Sequence, residues 1–178
     1  MSRFLTTGSV VHMRDEVDEL TEAWSRERAD LDLAPVAVFS RISRLARRLD
    51  KVRSEAFTAY DIESWEFDVL AALRRAGSPY ELSPGRLLRE TLVTSGTMTN
   101  RVDRLAARGF VERHPDPEDR RGVLVRLTAE GKDAVDGAFT ALLDAERALL
   151  ADLPASTQKE LAGLLRRLLA PFGDAPGG

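Results

Sequence analysis

The sequence predicts a mainly α-helical chain with one small β-hairpin. Apolar side chains recur every three or four positions through most of the 178 residues, which is the period of helices with one buried face. The period falls to two at Val123, Val125 and Leu127, and such alternation indicates a strand. A turn-rich segment from Pro115 to Gly122 precedes that strand and would close the hairpin.

The N-terminal part predicts a tail and two helices. Residues 1–11 show no consistent period and are expected to form a flexible tail. A charged amphipathic helix is expected from His12 to about Asp30, with Val17, Leu20 and Trp24 at helical spacing. Pro35 then opens a longer helix, whose apolar positions are Val38, Ile42, Leu45, Leu49 and Val52.

Two more helices are predicted between residues 61 and 92. Asp61 is expected to cap a helix that ends at Gly77, with Trp65, Val69, Ala72 and Leu73 on its apolar side. Ser83 and Pro84 open a short helix, because proline at the first helical position loses no hydrogen bond. Its buried side is supplied by Leu87, Leu88 and Leu92.

A further helix follows after a turn of about three residues, which is helix-turn-helix spacing. Thr94 or Ser95 can cap its start, and Gly109 suits a left-handed residue at its end. One face carries Met98, Val102 and Leu105, which we expect to be buried. The other face carries Thr97, Asn100, Arg101, Arg104 and Arg108, and the next residues, Phe110, Val111 and Arg113, begin the first strand of the hairpin.

The polar face of this helix has the chemistry of a DNA-contacting surface. Small residues in the first turn let the backbone approach a surface closely, hydroxyls bond phosphates or base edges, asparagine suits adenine and arginine suits guanine. Taken alone, an ordinary surface helix with capping hydroxyls fits equally well. The candidate DNA contacts are Ser95, Gly96, Thr97, Thr99, Asn100, Arg101 and Arg104 on the helix, with Arg120 and Arg121 on the hairpin tip.

The hairpin tip supports the DNA interpretation. Asp119 is close enough in sequence to brace Arg121 and hold its guanidinium extended. An arginine at a hairpin tip suits the narrow minor groove, which admits a guanidinium but no helix. An isolated run of this kind would be a solvated charged loop, but next to the helix pair it favours a winged helix-turn-helix that binds duplex DNA.

The C-terminal part predicts two helices that have more apolar residues than a small DNA-binding domain can cover. Thr128 starts a long helix with Val135, Phe139, Leu142, Leu143 and Leu149, and Pro154 begins a last one with Leu161, Leu164, Leu165, Leu168 and Phe172. We therefore expect dimerisation segments at residues 12–60 and 129–172 around a DNA-binding domain at 61–128, with a disordered tail at 173–178. One recognition helix contacts too few bases for specificity, so twofold symmetry is also expected from the DNA.

The segment from Ser83 to Thr128 resembles the winged helix-turn-helix of the multiple-antibiotic-resistance regulator (MarR) family. That family's wing carries Asp-x-Arg and then an apolar strand ending in Leu-Thr, matched here by Asp119, Arg121, Leu127 and Thr128. The stretch TSGTMTNRVDRLAARG matches its recognition helix, and the resemblance runs from about Leu33 to Phe172. It implies an obligate homodimer that regulates transcription, as a repressor on an inverted-repeat operator, with relief by a small ligand or an oxidant.

Composition agrees with this expectation. The net charge is −3, but the stretch from Pro84 to Arg126 holds nine arginines and six acidic residues, a local excess of three positive charges. Phosphates respond to that local field. There are no cysteines, which excludes thiol-based redox sensing. No apolar run approaches a membrane span and no signal-peptide pattern is present, so the expectation is a cytoplasmic protein without membrane contact.

The resemblance also implies a small-molecule effector site. The N-terminal helix with Trp24 resembles the extra helix of a subgroup of the family that responds to urate and similar small anions. The four ligand positions of that subgroup are matched by Trp24, Asp68, Arg101 and Arg113. Alternatives remain open: packing for Trp24, an Asp68–Arg101 ion pair, and a phosphate contact for Arg113.

No catalytic or metal-binding motif stands out. The two histidines, His12 and His114, are far apart, and the sequence has no HExxH, GxSxG or phosphate-binding glycine loop. We expect no catalytic residues, metal or cofactor. The alternative from another class is a helical dimeric interaction module whose winged helix binds protein instead of DNA.

Overall fold

The structure is a computed structural model and describes residues 14–91, 95–117, 119 and 122–172, with the side chain of Ser95 left out. The predicted tails at 1–11 and 173–178 lie outside the described residues, as do Arg120 and Arg121. The chain divides into two compact units, residues 1–50 and 51–178.

The N-terminal unit is built around helix α1, Glu16–Glu27, and the start of helix α2, Ala34–Thr58. Asp15 caps α1 by accepting hydrogen bonds from the N–H groups of Val17 and Asp18, at 2.8 and 3.1 Å. The predicted helix from His12 to Asp30 is therefore confirmed as an element but is shorter at both ends, because the cap at Asp15 fixes its start. The predicted opening of α2 at Pro35 is one residue late.

Ion pairs hold α1 against α2. The Arg41 guanidinium contacts the carboxylates of Asp15 at 2.8 Å and Asp18 at 2.7 Å, and Arg44 contacts Glu16 at 2.7 Å. The hydrogen bond from Arg41, with help from backbone N–H groups, lowers the pKa of Asp15 to about 2. The pKa of Asp18 is also lowered, by the Asp15 backbone and by Arg41.

The C-terminal unit holds the rest of the helices and all the strands that the structure describes. Their bounds are α3 Ser64–Arg75, β1 Glu81–Leu82, α4 Pro84–Thr91, α5 Ser95–Ala107, β2 Val111–Pro115, β3 Val123–Leu127, α6 Ala129–Leu149, α7 Ala155–Leu169 and a 3-10 turn Ala170–Phe172. This confirms a mainly helical protein with a small wing, which is the β2–β3 hairpin with its turn. Within the described residues no helix is long and apolar enough to span a bilayer.

The wing belongs to a three-stranded antiparallel sheet in the order β1-β3-β2. The predicted hairpin is confirmed, with Val111 opposite Leu127 and Pro115 opposite Val123. The third strand was not predicted, because two residues are too few to show an alternation. Arg126 of β3 pairs with Glu81 of β1 at 2.7 Å, which adds an ion pair to the backbone bonds.

The start of α3 corrects one prediction. Asp61 was expected to cap this helix, but the N-cap is Glu63, whose N–H donates to the Glu66 carboxylate at 2.8 Å. Asp61 lies two residues earlier, with a φ of 51°, and its carboxylate pairs with Arg108 at 2.8 Å. The prediction was wrong because this distant partner cannot be recognised from local sequence.

The core lies between α3, α5, the sheet and α6. Met98, Val102 and Leu105 are buried as predicted. The Phe57 and Phe67 rings stack on one another with centroids 4.3 Å apart. The largest apolar side chains that are fully buried in this core are Phe57, Leu70, Leu73, Leu87, Met98 and Leu105.

The junction between α5, the sheet and α6 is closely packed. Gly109 ends α5 with a φ of 74°, as predicted, since this conformation strains other residues. The Thr128 hydroxyl donates to the Gly109 carbonyl at 2.7 Å and accepts from Gly131 N–H at 3.0 Å, which confirms Thr128 as the cap of α6. A Cβ on Gly131 would stand 2.1 Å from the Phe110 carbonyl oxygen, so this approach requires glycine.

Candidate nucleic-acid interface

Helix α5 has one buried and one exposed side. Three apolar side chains anchor it in the core, while Gly96, Thr97, Thr99, Asn100 and Arg104 are exposed. Arg101 is half-buried. Five of the seven predicted α5 contacts therefore lie on the outer surface, with Arg101 at its edge. The side chain of Ser95 is outside the described residues.

A groove of about 430 Å³ runs along this exposed side. It is lined by residues of α3 and α5, namely Trp65, Gly96, Thr97, Asn100, Arg101 and Arg104. Every described α5 position in this groove was predicted to contact DNA. The lining combines a hydroxyl, an amide and two guanidinium groups, which can bond phosphates and base edges.

Trp65 and Glu63, at the start of α3, contact the two arginines of the groove. The guanidinium carbon of Arg104 lies 4.6 Å from the centre of the Trp65 ring, and that of Arg101 lies 5.4 Å from it. The Glu63 carboxylate accepts hydrogen bonds from the Trp65 indole N–H at 2.9 Å and from Arg104 at 3.1 Å. Neither Glu63 nor Trp65 was predicted to belong to the site.

Arg108 differs from its neighbours on α5. Its guanidinium bonds the buried carboxylate of Glu66 at 2.7 Å and the carboxylate of Asp61 at 2.8 Å, and it lies 4.7 Å from the Phe110 ring centre. The sequence placed Arg108 on the polar face of the helix. In the structure this arginine, directly after α5, bonds to Asp61 and to Glu66 of α3, so it connects these two parts of the unit.

The wing turn is closed by backbone hydrogen bonds. Gly122 N–H donates to the Asp119 carbonyl at 2.8 Å, and Asp116 N–H donates to the Gly122 carbonyl at 3.0 Å. Asp119 is exposed at this tip, where it was expected to brace Arg121. Because Arg121 and Arg120 lie outside the described residues, the brace and the tip contacts stay predictions.

Comparison with known proteins supplies the family. A model described as the MarR family matches residues 60–122. The chain is 34% identical over 153 residues to the HTH-type transcriptional regulator PecS of Dickeya dadantii, covering 86% of this chain and 92% of PecS. The chain belongs to the MarR family.

Among the solved structures with a similar fold are two that concern DNA binding. A MarR mutant from E. coli complexed with operator DNA has a TM-score of 0.66 and 30% identity, over 77% of this chain and 96% of that one. Bordetella bronchiseptica BpsR, whose DNA binding is regulated by 6-hydroxynicotinic acid, has a TM-score of 0.63 and 25% identity, over 78% of this chain and 94% of that one. This MarR-family chain is a DNA-binding transcriptional regulator, and the protein-binding alternative is not favoured.

The four residues expected to surround an effector have other partners or lie in separate units. Asp68 pairs with Arg53 at 2.8 Å, and Arg113 pairs with Asp103 at 2.8 Å. Arg101 lies over Trp65, and Trp24 belongs to the N-terminal unit with 49% of its surface exposed. The structure thus gives Asp68 and Arg113 neighbours of opposite charge, and the effector site stays a prediction.

Proposed function

We propose that this MarR-family regulator acts as a homodimer that inserts α5 into the major groove of an inverted-repeat operator and represses transcription. The main support for the proposal is that α5 has one apolar side buried in the core and one polar side exposed. Three buried apolar residues anchor it, and its exposed side presents Thr97, Asn100 and the two arginines over Trp65. The proposal is a binding function without catalysis, since the relatives are regulators.

The donors of the groove suit base edges. An asparagine amide can form two hydrogen bonds with adenine, and an arginine guanidinium can form two with guanine. Gly96 lets the helix start approach the DNA backbone, because its Cβ position is open and no side chain intervenes. Threonine hydroxyls can bond phosphate and fix the register of the helix. We assign base selection to Asn100, Arg101 and Arg104, and backbone contacts to Ser95, Gly96, Thr97 and Thr99.

We assign the wing to the minor groove and its phosphates. Arg120 and Arg121 follow Asp119 at the turn of the hairpin. A guanidinium at this position suits the negative potential of a narrow minor groove. The support is the hairpin itself, whose five paired positions hold the turn at a set distance from the core.

The proposed dimerisation segments are residues 12–60 and 129–172, flanking the DNA-binding domain at 61–128. The support is apolar surface that each unit leaves exposed. In the N-terminal unit Val38 and Phe39 of α2 are exposed. In the C-terminal unit an apolar stripe on α7 and the turn after it is exposed, namely Leu161, Leu164, Leu165, Leu168, Leu169 and Phe172. A continuous stripe of this kind marks an interface in a soluble oligomer.

We further propose that a small aromatic anion releases the DNA through Trp24, Asp68, Arg101 and Arg113. The support is the match to the effector positions and the regulation of BpsR by 6-hydroxynicotinic acid. Arg101 connects the two activities, because the same guanidinium would face DNA or ligand. A ligand can shift the equilibrium only by its difference in affinity for the two states.

The test is binding of fluorescent duplexes by anisotropy across a range of salt concentrations. Affinity should fall steeply with salt, because phosphate contacts release counterions. Asn100→Ala should cost about 1–3 kcal/mol of discrimination at the base that the amide contacts, whereas Thr97→Ala should weaken binding without changing the base preference. Thr140→Ala, an exposed threonine on α6, is the matched control and should change nothing. Salt-insensitive binding, or binding to single strands alone, would contradict the proposal.

A further inference from the structure

Trp65 is fixed in place before any DNA arrives. Trp65 is partly buried and packs against the hydrophobic core, and its indole N–H donates to Glu63 at 2.9 Å. Packing and hydrogen bond together hold the ring in one orientation. The ring is also in contact with α5, since the guanidinium groups of Arg101 and Arg104 lie over it.

An aromatic ring and a carboxylate bind a guanidinium differently, because only the carboxylate uses the N–H donors of the guanidinium. The negative face of an indole attracts the cation, and stacking leaves the N–H groups at the edge of the guanidinium available. A carboxylate takes up those same N–H groups as hydrogen-bond donors. Arg108 shows the second case, since Glu66 and Asp61 occupy its donors.

Arg101 and Arg104 are therefore both held at the ring. Arg104 also donates to the Glu63 carboxylate at 3.1 Å, but both side chains of this ion pair are exposed, so DNA can replace it. Arg101 and Arg104 are three positions apart on α5, and their guanidinium carbons lie 5.4 and 4.6 Å from the same ring centre. A long flexible side chain loses conformational entropy when it binds a base. A side chain that already rests on a fixed ring loses less, and it approaches the base from one direction.

We propose that Trp65 is a positioning residue for base selection: its ring face sets the direction in which Arg101 and Arg104 meet the major groove. Glu63 supports it by fixing the ring and by holding Arg104 until DNA replaces that ion pair. This proposal rests on the proposed DNA-binding role of α5 and adds a residue of α3 that does not itself touch bases.

The test uses duplexes selected from a random library by the wild-type protein, with single base-pair changes across each half-site. Trp65→Leu keeps an apolar side chain in the core but removes the aromatic face, and Trp65→Phe keeps both. For Trp65→Leu we expect binding to the selected duplex to weaken about 5- to 30-fold, as two exposed cation–π contacts imply. For the same variant, discrimination between bases at the positions contacted by the arginines should also fall. The affinity of Trp65→Phe for the selected duplex should stay within about threefold of wild type.

The salt dependence separates positioning from loss of charge. Trp65→Leu removes no positive charge, so the slope of log affinity against log salt and the binding to unrelated duplexes should be unchanged. Arg101→Ala and Arg104→Ala should each lose discrimination at the contacted base and should also lower that slope, because each removes a positive charge beside the phosphates. Thermal unfolding of both tryptophan variants checks that the fold is retained.

The possible results distinguish a failure of the stacking role from a failure of the proposed DNA-binding function. If Trp65→Leu and Trp65→Phe both select bases as wild type does, or if both lose selection equally, the stacking role is refuted. If Trp65→Leu lowers the salt slope or does not fold while Trp65→Phe loses selection, Trp65 is structural and the proposal is also overturned. If the wild-type protein selects no duplex at all, the proposed function itself fails, and this inference fails with it.

Discussion

Two arginines four positions apart, Arg104 in α5 and Arg108 directly after it, have different roles because of their surroundings. Arg104 is exposed and lies over Trp65. Arg108 bonds Glu66, whose side chain is fully buried, with one carboxylate oxygen bonded by Arg108 and by Glu63 N–H. A buried carboxylate without a cation is costly, so the Arg108 guanidinium stabilises the fold. The Arg104 guanidinium pairs with the exposed Glu63, a partner that DNA can replace.

Replacing Arg108 should therefore destabilise the C-terminal unit. Arg108→Ala leaves the Glu66 carboxylate buried and unpaired, and we expect a loss of about 2 to 3 kcal/mol in the free energy of unfolding by urea. Arg75→Ala is the matched control, since Arg75 pairs with Glu90 at 3.4 Å on the surface, and should cost less than about 1 kcal/mol. Equal losses for the two variants would show that Arg108 does not compensate the buried charge.

Periodicity predicted which side of α5 is buried, but could not predict the long-range partners of its polar residues. Met98, Val102 and Leu105 follow from helical spacing alone. Asp61 and Arg108 are 47 positions apart, and nothing in either local sequence indicates that they pair. Trp65 was predicted as an apolar position of its helix, and it does pack against the core. That its ring also meets Arg101 and Arg104 depends on how α3 and α5 pack.

The helices and the hairpin were largely predictable as elements, while their ends required side-chain contacts. Pro84, Gly109 and Thr128 stand at or beside element ends as their chemistry predicts. The start of α1 depends on the Asp15 cap, which also binds Arg41 from α2. Strand β1 could not be predicted, since its two residues become a strand only by pairing with Val125 and Arg126.

The ion pairs between α1 and α2 should make the N-terminal unit sensitive to acid. The pKa of Asp15 is lowered to about 2 chiefly by the Arg41 hydrogen bond, below its usual value near 4 in an unfolded chain. A group with a lowered pKa contributes stability above its unfolded value, and this stability is lost as pH falls through the folded value. The contribution should be complete above about pH 5 and disappear toward pH 2.

The measurement is the difference in unfolding free energy between wild type and Arg41→Ala as a function of pH. We expect wild type to be more stable above about pH 5 and the difference to shrink as pH falls toward 2. Arg48→Ala, an exposed arginine of the same helix, controls for the loss of a positive charge and should show a smaller change. A difference for Arg41→Ala that is constant with pH would contradict this role of Asp15 and Asp18.

A single chain leaves much apolar surface exposed near its C-terminus. Leu164 and Leu168 of α7 are 50% and 42% exposed, and Phe172 after it is 79% exposed. The sequence predicted this surplus, because the leucines recur at helical spacing in a helix that a small DNA-binding domain cannot cover. Burial in a second copy would remove this surface from water, at roughly 25 cal/mol per Å² of apolar area.

The dimer can be tested by placing charge on that stripe. The double variant Leu164→Asp, Leu168→Asp should sediment as a monomer at micromolar concentration, whereas wild type should sediment as a dimer. Ser156→Asp with Lys159→Asp, exposed residues on the opposite polar side of α7, is the control and should remain dimeric. A wild-type monomer, or a dimer unaffected by the leucine changes, would place the interface elsewhere or refute it.

Selection of bound duplexes from a random library tests whether two copies of α5 select DNA together. If they do, the enriched sequences should be inverted repeats with half-site centres about one helical turn, roughly 10 bp, apart. The leucine double variant should lose this symmetry and bind single half-sites weakly. Enrichment of sequences without twofold symmetry by the wild-type protein, or no enrichment over the starting library, would contradict a dimeric regulator that selects DNA through the exposed side of α5.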